Sequence, residues 1–129
     1  RAGMLPQIQA IGKMLWNAGL PVLDDLHNNS YDWIIPEEAK KSDAALQKYA
    51  GQRYIKALDQ CQPGLTMMIM HCTDPSEVFA QISNSGPTRK ADMLGISDPA
   101  VRKYIQQKGI IITTWRELMQ RRQRLLGKK

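Results

Sequence analysis

The sequence predicts an α/β chain made of parallel βαβ units. Three observations lead there. Helical apolar periodicity alternates with short apolar runs, in the order αβαβ, a long loop, then αβα. The run Leu65-Thr66-Met67-Met68-Ile69-Met70 follows a Pro63-Gly64 turn and reads as a strand covered on both faces. Polar, chemistry-bearing residues come directly after each run, where the sites of parallel sheets collect.

The first helix is expected from about Leu5 to Ala18, with Ile8, Ile11 and Leu15 on one face and Gly19 as its stop. Leu20-Pro21-Val22-Leu23 reads as a short strand that closes at Asp24-Asp25-Leu26-His27. A polar loop with Tyr31, Trp33 and Pro36 follows, over 28–41. Ser42-Asp43 caps a second helix, whose face carries Leu46, Tyr49, Ala50, Tyr54, Ala57 and Cys61. The strand over 65–70 ends at His71-Cys72-Thr73-Asp74-Pro75. Residues 72–96 read as a long irregular stretch, turn-rich at Ser83-Asn84-Ser85-Gly86-Pro87. Ser97-Asp98-Pro99 opens a third helix, which Gly109 stops. Ile110-Ile111-Ile112-Thr113 is β-branched throughout and reads as a third strand. Thr114-Trp115-Arg116-Glu117 is a T-x-x-E capping box for the last helix.

Three parallel strands are few for a complete sheet. The chain therefore reads as the closing part of a larger α/β barrel, or as a small sheet that must find a partner. At 129 residues it is a single domain or a C-terminal fragment of one. It opens on Arg1, which points to a truncation upstream, so localisation stays open. No apolar run reaches the length of a membrane span. The net charge is +6, yet residues 116–129 carry six basic residues against Glu117 and leave the body near neutral. A basic C-terminal helix end suits the helix dipole. A nucleic-acid binder would instead carry a basic stripe across its working face. Cys61 and Cys72 form no CxxC pair, which excludes the usual zinc and redox motifs.

If all strand ends point one way, three groups meet on one rim. These are Asp24, Asp25 and His27; His71, Cys72 and Asp74; and Thr114 with Trp115. Carboxylate and histidine together suit either a metal site or an acid–base pair. His71 is one of two histidines, and histidine is the side chain that exchanges a proton near neutral pH. Arg89 suits an oxyanion or a carboxylate, or else pairs with Asp92 on the surface.

Four pieces of the chain resemble the C-terminal part of the YdjC-like carbohydrate deacetylases, relatives of the chito-oligosaccharide and polysaccharide deacetylases. They are the Gly19-Leu20-Pro21-Val22-Leu23-Asp24 segment, the strand that ends in His71, the stretch from Asp92 to Arg102 with Ser97-Asp98-Pro99 inside it, and the ending from Gly109 to Leu118. The departure is at His71, which Cys72-Thr73 follows where the family often has His-Pro-Gly.

The resemblance implies the C-terminal portion of a distorted (β/α) barrel, and a hydrolase that removes N-acetyl groups from amino sugars with a divalent metal, zinc or magnesium. It implies that the metal ligands lie outside this chain, and that the chain alone is inactive. His71 would protonate the leaving amine or clamp the oxyanion. Asp24, Arg89 and Trp115 would bind the acetylated oligosaccharide or polysaccharide, with Trp115 and Trp33 candidates to stack on a sugar face. The expected partner is the missing N-terminal part or another subunit. Two alternatives stay open: a small metal-binding α/β protein using Asp25, His27 and His71, and a non-catalytic interaction module.

Overall fold

The computed structural model describes residues 5–22, 25–28, 34–74 and 76–127. In chain order the elements are α1 (Leu5–Asn17), β1 (Asp25–Asn28), α2 (Glu37–Lys40), α3 (Asp43–Asp59), β2 (Thr66–Ile69), α4 (Glu77–Ile82), α5 (Gly86–Ile96), α6 (Pro99–Gln107) and α7 (Trp115–Leu125). They fall into two units, one of Arg1–Asp24 with Ile111–Lys129 and one of Asp25–Ile110.

The second unit is built around α3. Leu46, Ala50, Tyr54 and Ala57 recur at helical spacing and are all buried. Ser42 starts the helix, its Oγ accepting the Ala45 N–H at 3.1 Å. The most extensive helix–helix contact is between α3 and α5. Small residues allow it: a Cβ on Gly95 would lie 2.6 Å from the Ala50 Cβ, so only glycine fits. Ala91 of α5, Val101 of α6 and Ile35 complete the core. Asp98 caps α6 by accepting the Ala100 N–H at 2.8 Å, with Pro99 in the first turn. The Tyr104 hydroxyl ties α6 to the end of α3 by donating to Asp59 Oδ1 at 2.6 Å.

The predicted α/β architecture is corrected here. The described residues are mostly helical, and their extended structure is one short parallel ladder, so the chain does not form a portion of a (β/α) barrel. In that ladder Asp25 stands opposite Thr66, Leu26 opposite Met67, His27 opposite Met68 and Asn28 opposite Ile69. The first strand lies at 25–28, whereas residues 20–22 of the predicted strand are irregular and Leu23 is outside the described residues. The predicted third strand, 110–113, is irregular and pairs with no strand among the described residues, with Ile111 and Ile112 more than two-thirds exposed. β-branched composition favours a strand only where a neighbouring strand receives it. β2 is half-buried along its length, not covered on both faces. The predicted irregular stretch 72–96 holds two helices. Ser76 caps α4 by accepting the Phe79 N–H at 3.3 Å, and Pro87 lies in the first turn of α5. The turn residues 83–87 are the joint between two helices.

The first unit holds α1 and α7. Gly19 (φ 91°) ends α1 in the left-handed region, and the Leu20 N–H reaches back to the Leu15 carbonyl at 3.0 Å. The Arg122 guanidinium lies 3.9 Å from the centre of the Trp16 ring and donates to the Trp16 carbonyl. The capping box of α7 is complete: Thr114 Oγ1 accepts the Glu117 N–H at 3.2 Å, and Glu117 Oε2 accepts the Thr114 N–H at 2.7 Å. No described side chain of this unit is buried.

Candidate functional site

The end of β2 is tied to α5 at two points. The His71 N–H donates to Asp92 Oδ2 at 2.8 Å. Two residues on, the Thr73 N–H donates to the Arg89 carbonyl at 3.3 Å. Asp92 and Arg89 are one turn apart on α5, so residues 71–73 run along that helix. Asp92 lies with Ala91 and Gly95 on the buried side of α5.

Asp92 has no solvent exposure. A buried carboxylate is costly unless its oxygens find donors. Each oxygen has one here, because the Tyr54 hydroxyl donates to Oδ1 at 2.8 Å. Tyr54 is also fully buried. Burial first, then the bond to Asp92 and the Asp92 charge, hold the Tyr54 phenol well above its ordinary range. It therefore stays a donor at any ordinary pH. Desolvation, and then the Asp92 charge, also raise the Cys72 thiol, against an opposing backbone hydrogen bond. Cys72 is exposed, but a raised thiol is a poor nucleophile near neutrality.

Arg89 is placed by its neighbours. Its Nε donates to Ser85 Oγ at 2.9 Å, and Ser85 Oγ is 2.7 Å from Ser83 Oγ. Its guanidinium carbon lies 5.7 Å from the centre of the Phe79 ring. The surface pair between Arg89 and Asp92 is corrected: Asp92 is buried, and its oxygens serve Tyr54 and the His71 backbone. A separate hollow of 590 Å³ is lined by Ile35, Leu46, Phe79 and Pro87 with Lys40 and Lys90. Those lysines are paired with Glu37 at 2.5 Å and Asp43 at 2.7 Å, and none of His71, Cys72, Arg89 and Asp92 lines it.

Of the predicted site residues, His71 and Cys72 lie in the backbone stretch that is hydrogen-bonded to α5 at Asp92 and Arg89. Trp115 belongs to the other unit. It is the first residue of α7, half-exposed, against a hollow of 360 Å³ formed with Leu20, Pro21, Arg116 and Met119. Asp24 and Trp33 lie outside the described residues, as do the side chains of Asp25 and His27. The ladder does fix the His27 backbone. It stands opposite Met68, three residues before His71, which at strand rise is an offset of about 10 Å. Among the described residues no group of three or more His, Cys, Asp and Glu gathers as metal ligands would. Among them, too, no helix is long and apolar enough to cross a membrane.

Sequence reasoning missed the role of Tyr54, read there only as part of an apolar helix face. The signal was available, since a tyrosine on an inward face needs a partner for its hydroxyl. The chain matches no known protein family, no curated protein and no solved structure.

Proposed function

We propose that this chain supplies His71, with Arg89 beside it, to a carbohydrate N-deacetylase whose metal ligands lie outside residues 1–129. The observation that carries the reading is the bond between the His71 N–H and Asp92. It joins two of the pieces in which the sequence resembles the YdjC-like deacetylases, the strand that ends in histidine and the segment that begins at Asp92.

The chemistry suits the residues. Hydrolysis of an acetamido group gives acetate and a free amine. The amine leaves only if it receives a proton, and a histidine is suited to supply it near neutral pH. An arginine nearby suits the oxyanion or the departing carboxylate. The test is acetate release from N-acetylated chito-oligosaccharide with zinc or magnesium present. Residues 1–129 alone should release none, and the chain extended by its metal-binding segment should release acetate until a chelator is added. Release by residues 1–129 alone, or none by the extended chain, contradicts the reading.

A second reading, a non-catalytic interaction module, is favoured by the first unit. There Ile8, Ile11, Trp16 and Leu125 are exposed, and so are Arg116, Arg121 and Arg124.

A further inference from the structure

We infer that Asp92, backed by Tyr54, is the positioning residue of His71. The inference rests on the reading of His71 as the proton donor, and it names what holds that donor in place.

A carboxylate with no exposure is not needed to build a helix. Buried acids are costly, and an apolar side chain at an inward position of α5 would pack without that cost. Asp92 meets the cost with two neutral donors from different elements, the hydroxyl of Tyr54 on α3 and the N–H of His71 after β2. The second bond goes to the backbone of His71. It fixes where the histidine leaves the chain whatever the protonation state of the ring, and it makes no demand on the ring nitrogens.

The other contacts make the hold stiff. Thr73 is bonded to the Arg89 carbonyl, so the backbone is fixed on both sides of Cys72. The two bonds together lay residues 71–73 along the turn of α5 from Arg89 to Asp92. Tyr54 is held in turn by close helix packing, since a Cβ on Gly95 would come within 3.0 Å of its ring. The line of support runs from the α3–α5 contact through Tyr54 and Asp92 to the His71 backbone. Misplacing a catalytic group by about 1 Å costs on the order of 100-fold in rate, so a rigid backbone anchor has a direct use.

Amide hydrogen exchange of residues 1–129, followed by NMR, tests this without substrate. In Asp92→Asn and Tyr54→Phe the His71 amide should shift and exchange about ten-fold faster relative to the global opening rate, with helical circular dichroism retained. Tyr54→Phe keeps the ring packing, so it serves if the Asp92 variant fails to fold. The core variant Leu46→Ala should lower global stability and leave that ratio unchanged. In the active extended chain the two site variants should lower kcat by ten-fold or more with KM unchanged. A His71 amide that exchanges as in the parent protein in Tyr54→Phe, or a loss in KM alone, overturns the inference. If the parent extended chain releases no acetate, the deacetylase reading fails, and the amide result alone decides whether Asp92 holds His71.

Discussion

Two side chains with no solvent exposure, Tyr54 and Asp92, stand behind the one histidine whose surroundings are described. Sequence made His71 visible because an apolar strand leads to it and a polar turn follows. It did not show Asp92 and Tyr54 as a pair, because they are 38 positions apart and meet only when α3 packs on α5. The charge of Asp92 reports on itself through Cys72. Desolvation and that charge raise the thiol, so less of it is ionised at a given pH, and iodoacetamide should modify Cys72 more slowly than a free cysteine at pH 8. Asp92→Asn removes the charge, lowers the thiol toward its ordinary value and should speed the reaction. Unchanged modification kinetics in that variant would remove Asp92 from the surroundings of Cys72.

Among the elements, the helices that carry their own start signals were legible. Ser42, Asp98-Pro99 and the Thr114–Glu117 box each begin a helix, and these are local chemistry. Residues 110–113 were not legible, because strand formation is decided by a partner that the sequence does not display. In Gly95→Ala the new Cβ would meet the Cβ and backbone of Ala50, which cannot yield, and overpacking costs about 1–3 kcal/mol against a helix-propensity gain of about 1 kcal/mol. In Gly51→Ala the obstacle is the Asp98 side chain, so the cost should be smaller. Urea unfolding should rank Gly95→Ala as the more damaging; the reverse order would contradict the packing described for α3 and α5.

Bonds from the Thr114 backbone first, then the Thr113 and Thr114 hydroxyls, hold the Glu117 carboxyl below its ordinary range. A folded-state value below the unfolded one contributes stability that is present above the unfolded value, about 4.3 for glutamate. That stability is lost as pH falls through the folded value. The amides at the start of α7 should therefore lose protection as pH drops below about 4, and Glu117→Gln should flatten that dependence.

At the scale of the molecule, a mostly helical chain differs from the parallel βαβ chain that the alternation of apolar runs predicts. Of β1, α3 and β2, only α3 and β2 formed where the alternation placed them; β1 formed at 25–28, in residues read as the close of an earlier strand, and pairs with β2 in one parallel ladder. The alternation failed beyond His71, where turn residues joined helices and residues 110–113 formed no strand. The first unit carries its apolar residues in the open beside a basic helix. If the interaction reading holds, association of the chain with an acidic surface should weaken steadily as salt rises from 50 to 500 mM, on the order of the Debye screening of exposed charges. Association that is insensitive to salt would place its source in the apolar residues alone.

The proposed role of His71 as proton donor of an N-deacetylase has a direct test. The direct measurement is acetate release from N-acetylated chito-oligosaccharide by the metal-loaded extended chain, compared with His71→Ala in a sample of equal helical content. The variant should lose on the order of 100- to 10,000-fold in kcat, the usual contribution of a positioned acid, with substrate still bound. Activity within a few-fold of the parent in His71→Ala would contradict it.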